Sequence, residues 1–394
     1  MKRRGAFVAM ATAAVLVFTA GALYAADTII LGANYGMTGT MGWIGGDCVD
    51  GANLAIDQAN KKGGIKGKQI ELVMYDSKND ADTARTNFEK LVKRDKAIAI
   101  LGPVSNQETE TVLPLSDKNA IVYTAVSGGV QVNERILPEY KKEGKKCYLW
   151  ALTVGTARQG EVFAVWAKKK GFKRLALIDP LDQMGDLSTA TYEQYAKKYG
   201  LEVVAKERYD VKGTDFTTQM SKIKAANPDV IAGMPSGGPT VTIVKNRDQL
   251  GMSHIPFKVS DANLSKSFIT LLGENTKNIY NVAAKIQIPP EYLKDSDSQK
   301  KVIMDFQKAF KTKFNKEPKS WFFASVGYDT ALMYIKAMEA VGTNGAKMRD
   351  WIEKQKAFQG AQAVYSWSDT DHRGIGVEQC VVMMIKGDDW VPVD

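Results

Sequence analysis

The chain has 394 residues, 44% hydrophobic and 25% charged, with 53 Lys and Arg against 44 Asp and Glu for a formal charge of +9 at pH 7. That length predicts two domains rather than one. The basic excess is scattered, as at Lys61-Lys62, Lys141-Lys142 and Lys197-Lys198, which is the pattern of a solvated surface and excludes a nucleic-acid partner.

Lys2, Arg3 and Arg4 precede an apolar run over 6–22 and the small-residue stretch Leu23-Tyr24-Ala25-Ala26. This reads as the basic, apolar and cleavage regions of a secretory signal over residues 1–25. The run is shorter than the roughly 20 residues of a membrane span. No cysteine marks the cleavage point for lipid attachment, and Arg3-Arg4 is not continued as a twin-arginine signal. Cleavage would leave 369 of the 394 residues at a formal charge of +6, with no second long apolar stretch. The expected location is the periplasm.

After the signal, strands over 28–33, 70–75, 97–101 and 120–123 alternate with amphipathic helices. Val49, Ala52, Ile56 and Ala59 recur at helical spacing, as do Ala84, Phe88, Leu91 and Val92, so each segment lays one apolar face on a sheet. The alternation restarts near Tyr148, with strands over 148–152, 174–178, 202–209, 230–233 and 257–260. Helices over 156–170, 185–199, 215–226 and 240–250 separate them. Residues 90–102 (KLVKRDKAIAILG) echo 221–233 (SKIKAANPDVIAG) as helix end, turn, strand and glycine, which predicts two lobes of like construction. Helices follow over 298–314, 320–341 and 345–354, then strands over 364–367 and 377–385. The pattern is α/β, a parallel sheet flanked by helices in each lobe. No Pro/Gly/Ser-rich tether divides the chain, so several short crossings are expected to join the lobes.

Catalytic patterns fail one by one. Val126-Ser127-Gly128-Gly129 lacks the first glycine of a nucleophile elbow, and His254 and His372 are the only histidines. The loop over 233–240 follows a strand but has no phosphate-binding lysine. Asp179 with Asp182, and Asp369 with Asp371, are spaced as turns or helix caps. Cys48, Cys147 and Cys380 form no Cys-x-x-Cys pair, and no metal or cofactor is expected. What remains is binding. In parallel sheets ligands sit beyond the carboxyl ends of strands, where hydroxyl- and glycine-rich loops occur at Met37-Thr38-Gly39-Thr40, Val104 to Gln107, Ala125 to Gly129 and Ser260 to Asn263. Three such loops in one lobe make a cradle for a carboxylate, although for each loop serine or asparagine could equally cap the next helix.

Gly36-Met-Thr-Gly39, the stretch Gly51-Ala-Asn-Leu-Ala-Ile-Asp57-Gln-Ala-Asn60-Lys-Lys-Gly-Gly64-Ile-Lys-Gly67, Ile100-Leu-Gly-Pro103 and Gly213-Thr-Asp-Phe216 resemble the periplasmic leucine-isoleucine-valine binding proteins and the wider group of extracellular ligand-binding receptors. The resemblance covers almost the whole mature chain. It implies two Rossmann-like lobes of the type I periplasmic binding protein, joined by three crossovers and closing on a ligand. Lobe I would comprise 26–148 and 285–373, and lobe II 149–284 and 374–394. It implies a monomer without catalytic activity, the solute-binding component of an ABC importer, with a small carboxylated ligand and a membrane permease as partners.

Carried onto this sequence, the resemblance places recognition of an amino acid's carboxylate and ammonium on Ser105, Asn106, Ser127 and Gly128 of the first lobe and on Asp261 of the second. The side-chain pocket would fall on Trp43 or Ile44, Val104 and Phe323. Two tyrosines usual in the second lobe are replaced here by Met184 and by Ser236 or Gly237. Their loss leaves room for an aromatic or other organic acid stacked on Trp43, Trp321 or Phe323. A sensory ligand-binding module is the alternative in another functional class. The same lobe assignment implies that a disulfide, if one forms, joins Cys147 to Cys380.

Overall fold

The computed structural model describes residues 28–38 and 42–393. The signal segment over 1–25, and Gly39 and Thr40 of the first binding loop, lie outside the described residues.

The first sheet holds β1 (Ile29–Tyr35), β2 (Ile70–Asp76), β3 (Ala99–Leu101), β4 (Val122–Ala125) and β5 (Leu149–Ala151), with α1 (Gly42–Lys61), α2 (Ala81–Lys93), α3 (Asn106–Asn119) and α4 (Leu137–Lys142) between them. All its pairings are parallel and the strand order is β2-β1-β3-β4-β5. The chain then runs through α5 (Thr156–Lys169), β6 (Arg174–Pro180), α6 (Gln183–Tyr199), β7 (Glu202–Tyr209), α7 (Thr217–Ala225), β8 (Val230–Ala232), α8 (Gly237–Gln249), β9 (Phe257–Lys258), α9 (Lys266–Leu272) and β10 (Ile279–Ala284). Next come α10 (Ser298–Phe314), α11 (Trp321–Val341), α12 (Gly345–Ile352), the two-stranded β11 (Phe358–Gln359) and β12 (Val364–Tyr365), and the final β13 (Cys380–Lys386) and β14 (Asp389–Pro392). Helices α11 and α12 return to the first sheet, α11 packing on α1 and α12 on β4. The second sheet is ordered β14-β13-β10-β9-β8-β6-β7, with β13 and β14 antiparallel.

The parallel part of the second sheet, β7-β6-β8-β9-β10, repeats the order of the first. The echo between 90–102 and 221–233 is the third strand of each unit with the helix end that feeds it. Each echo ends on a glycine at the point where the strand order reverses. A Cβ on Gly102 would lie 2.4 Å from the Asn34 carbonyl oxygen of β1, and one on Gly233 would lie 2.0 Å from the Ile178 oxygen of β6. Glycine is required because the first strand's backbone passes through the space a side chain would fill.

Two expectations are corrected. Residues 149–151 do not open the second lobe: Leu149, Trp150 and Ala151 pair with Tyr123, Thr124 and Ala125 at the edge of the first sheet. An apolar run between two helical stretches reads alike as the last strand of one unit or the first of the next, and only the hydrogen-bonded neighbour decides. Cys147, just before β5, therefore stands by the first sheet while Cys380 opens β13 in the second. Cys48, Cys147 and Cys380 are all free thiols. Burial pushes the Cys147 and Cys380 thiols up to about 12.

The chain passes between the sheets over 152–155, after β10, and over 374–379. The first passage is tied to the chain that leads into the last. Gln362 donates through Nε2 to the Leu152 oxygen at 2.7 Å, and its own backbone is held by Asp329 of α11, which accepts from Ala361 and Gln362 N–H and from the Tyr365 hydroxyl at 2.6–2.9 Å. Arg373, buried, donates to the Thr153 carbonyl and hydroxyl at 3.1 and 2.8 Å and to the Gly128 and Val130 carbonyls.

Gly233→Ala should lower the stability of the protein by roughly 1–3 kcal/mol, the usual cost of overpacking a filled interior. Urea unfolding checks this, and an unchanged midpoint would show that β6 and β8 can separate freely at their carboxyl ends.

Candidate functional site

The candidate site lies where the loops after β3 and β4 of the first sheet face the start of α6 in the second. Ser105 is the N-cap of α3. Its Oγ accepts from Glu108 N–H at 3.2 Å and donates to Glu108 Oε2 at 2.7 Å, while its own N–H donates to the same carboxylate at 3.1 Å. The hydroxyl is thus engaged in a reciprocal cap. Asn106, the first residue of α3, turns its side chain to the neighbouring loop, where the Ser127 hydroxyl donates to Asn106 Oδ1 and the Gly129 N–H donates to Ser127 Oγ at 3.3 Å. The Gly128 carbonyl faces away, accepting from Thr156 N–H and Arg373.

Across the gap, Asp182 caps α6 by accepting from Gly185 N–H at 2.9 Å, which presents Met184 on the first turn. A Cβ on Gly129 would lie 2.8 Å from Asn106 Nδ2 and 2.9 Å from Met184 Cε. The two lobes therefore touch at this glycine. Beside the contact is a cavity of about 250 Å³ lined by Asn106, Gly129, Gln131, Asp182, Gln183, Met184 and Leu187.

Of the residues singled out from the sequence, the structure brings together Asn106, Ser127, Gly128 and Met184. Trp43 and Phe323 meet edge to face at 5.5 Å, half-buried on the first turns of α1 and α11, and do not line this cavity. Ile44 is buried in the core beside them and Val104 packs partly against that core. Ser236 is exposed at the start of α8, its side chain making no cap bond. Asp261 follows β9 and is half-buried. Neither helical segment near it uses its carboxylate: Ser260 caps the short turn over 261–263 and Ser265 caps α9. Its carboxylate accepts from the Ser260 hydroxyl at 3.3 Å.

Sequence reading missed the amides Gln131 and Gln183, which have no pattern to mark them, and it missed a lysine. Lys258, the last residue of β9, is fully buried. Its Nζ donates to Gln159 Oε1 at 3.3 Å and the Gly233 carbonyl at 3.4 Å, meets Met234 Sδ at 3.2 Å, and lies 5.8 Å from the centre of the Tyr192 ring. Burial pushes this ammonium down to about 8, against the attraction of Asp261 and Asp179. Asp179 is itself fully buried at the end of β6, accepts from Met234 N–H at 2.8 Å and the Thr189 hydroxyl at 2.9 Å, and is pushed up by burial. Neither histidine reaches the cavity: His254 is exposed and His372 is stacked on Trp150 at 4.2 Å. Among the described residues no cluster of His, Cys, Asp and Glu could hold a metal, and no helix is long and apolar enough to cross a membrane.

Comparison with known proteins places this geometry. The sequence pattern of a family described as periplasmic binding protein matches residues 28–389. A leucine-, isoleucine-, valine-, threonine- and alanine-binding protein of Pseudomonas aeruginosa is 25% identical over 85% of this chain and 83% of its own length. An amino acid binding protein of the same organism is 26% identical over 94% and 92%. Among solved structures, a type 1 periplasmic binding protein of Bordetella pertussis superposes with a TM-score of 0.74 at 24% identity, covering 93% of this chain and all of the other. The branched-chain amino acid transporter substrate-binding protein of Streptococcus pneumoniae, solved with isoleucine, gives 0.71 at 23% identity over 93% and 99%. These likenesses show the fold: two lobes of parallel sheet flanked by helices, the type I arrangement.

A buried lysine held near 8 rather than its ordinary 10.5 destabilises the fold at neutral pH. The unfolded chain binds the proton more tightly, so stability from this group is present above pH 10.5 and lost as pH falls through about 8. Lys258→Met should therefore raise stability at pH 7 by up to roughly 3 kcal/mol, at 1.36 kcal/mol per pKa unit. The gain should shrink toward pH 10.5, and urea midpoints at both pH values measure it.

Proposed function

We propose that this chain, which belongs to the periplasmic binding protein family, is the solute-binding component of an ABC importer. Exported by a cleaved signal over residues 1–25, it captures a small carboxylated solute, first of all a hydrophobic amino acid, between its lobes and delivers it to a membrane permease. The observation that carries this reading is the meeting of Asn106, Ser127 and Gly129 with Met184 around a small cavity at the carboxyl ends of two like-ordered sheets. Ligands of open α/β sheets bind at such ends. The cavity is smaller than the roughly 300–1,000 Å³ of pockets for drug-sized molecules, in keeping with an amino acid. The relatives named above as amino-acid-binding proteins support the same class.

Asp261 supports an ammonium-bearing ligand. Its carboxylate serves no helix as a cap, and a carboxylate enclosed by a closing cleft is costly unless a cation meets it. One observation favours a second reading, an aromatic or other organic acid: Trp43 and Phe323 form a half-buried ring pair at the first lobe's edge.

A thermal-shift screen of L-leucine, L-isoleucine, L-valine, L-alanine, L-threonine and L-phenylalanine against benzoate and 3-phenylpropanoate separates the two. Amino acids should raise the melting temperature. Calorimetry should then show Asp261→Asn weakening the amino acid by roughly 2–5 kcal/mol, the range for leaving a buried charge unpaired. Equal binding by the Asn variant, or stabilisation by the acids alone, would sink the ammonium role.

A further inference from the structure

Lys258 has no structural necessity. Strand β9 needs only an apolar residue there, and a buried ammonium is among the least favourable groups to place in a core. Its contacts do not compensate fully. The two oxygen contacts, at 3.3 and 3.4 Å, are long for an ammonium, whose charged hydrogen bonds normally run about 2.7–2.9 Å, and it makes no ion pair among the described residues. What distinguishes the position is its neighbourhood. Gln159 stands just past the first crossing, Gly233 and Met234 follow β8, Asp179 ends β6, Tyr192 belongs to α6, and Asp261 follows β9. The ends of β6, β8 and β9 are the places from which a parallel sheet reaches a ligand, and the loop after β6 is the one that lines the cavity beside Gly129.

We propose that Lys258 is a specificity-determining and positioning residue: its buried ammonium is the internal counter-charge of Asp261, and it sets the second lobe to accept a zwitterionic α-amino acid rather than an organic cation. The assignment rests on the reading that Asp261 meets the ligand's ammonium. Asp179 and Asp261 flank one lysine, so with both carboxylates ionised the group carries a single net negative charge. One ligand ammonium neutralises it. Without Lys258 the same group attracts a bare cation more strongly, and the carboxylate of a zwitterion, held by the first lobe, no longer distinguishes its owner as well.

The test compares whole amino acids with their halves. Calorimetry of the wild type and Lys258→Met uses L-leucine, isoamylamine and 4-methylpentanoate, and in parallel L-phenylalanine, phenethylamine and 3-phenylpropanoate. The wild type should prefer the intact amino acid. Lys258→Met should shift the ratio of amine to amino-acid affinity toward the amine by roughly tenfold or more, as expected for removing a unit charge up to about 10 Å away at an effective dielectric near 20. Lys258→Arg, which keeps the charge, should keep more of the wild-type ratio. Raising the pH from 7 to 9 leaves both half-molecules' charges unchanged but discharges Lys258, which titrates near 8. The wild-type ratio of amine to acid should therefore move toward the amine over that range, a shift read on the wild type alone, and the Met variant should stay flat. Binding of an amino acid with the same ratios, at both pH values, in wild type and Met variant would overturn the role of Lys258 alone. Binding of the acids only, in both proteins, would overturn the amino-acid reading and this assignment with it.

Discussion

A buried guanidinium ties the first crossing between the lobes to the loop after β4. Arg373 stands just before the last crossing, and its donors go to the Thr153 carbonyl and hydroxyl in the first crossing and to the Gly128 and Val130 carbonyls in the loop after β4. A Cβ on Gly155 would lie 2.5 Å from Arg373 Cζ, so the crossing is shaped around this side chain. Burial lowers the pKa of the guanidinium, but arginine stays charged in proteins. Its charge is met by backbone dipoles. The loop after β4 and the first crossing thus share one anchor.

The loop so anchored has two faces. Its carbonyls at Gly128 and Val130 turn to Arg373, while Ser127 Oγ and Gly129 N–H turn to each other and to Asn106 at the start of α3. The same division recurs in the second lobe, where the Gly233 carbonyl takes Lys258 and the Met234 N–H takes Asp179. In both lobes the loop after a parallel strand gives a carbonyl to a buried cation, while the neighbouring N–H is taken by a side chain, Ser127 in the first lobe and the buried Asp179 in the second. Strand polarity brings the two loops to equivalent places, since every parallel strand ends on the same side of the sheet.

Much of this architecture is legible in the sequence because it is written in periodicity. Apolar spacing in α1 and α2, the runs that become β6 to β9, and the glycines ending β3 and β8 are local patterns with local causes. The edge strand β5 is not: residues 149–151 are apolar in either lobe, and only pairing with β4 assigns them. Strands β10 and β14 carry no alternation to mark them, since β10 is buried along its whole length and β14 is four residues long, and helix α3 follows from the strand alternation around it rather than from its own weak apolar stripe, which Pro114 interrupts. At the site, Asn106 is visible because it stands at a strand end next to a helix start, whereas Met184 is marked only by the family resemblance. Lys258 is not visible, since a lysine in the strand Phe257-Lys258 reads as the solvent face of an alternating pair and nothing in sequence says that both faces are covered. Ser105 shows the opposite limit, a serine whose position suits ligand and cap equally and whose hydroxyl the structure gives to Glu108.

The two halves of the cleft differ in how they carry charge. The first lobe offers neutral groups, Asn106, Ser127 and the amides of a loop beside the start of a 14-residue helix whose aligned peptide dipoles favour an anion. Glu108 lies within that first turn, yet its carboxylate is turned to Ser105 as part of the cap. The second lobe concentrates formal charge, two carboxylates and one ammonium gathered behind the ends of β6, β8 and β9. Neutral donors can hold a carboxylate with little desolvation cost in the open state, because water replaces the ligand readily. A lone carboxylate in the other lobe would be harder to enclose, and Lys258 reduces that cost by offsetting part of its charge before any ligand arrives. The proposed amino acid would therefore lie with its carboxylate toward α3 and its ammonium toward β9, the orientation in which each end meets the opposite electrostatic character.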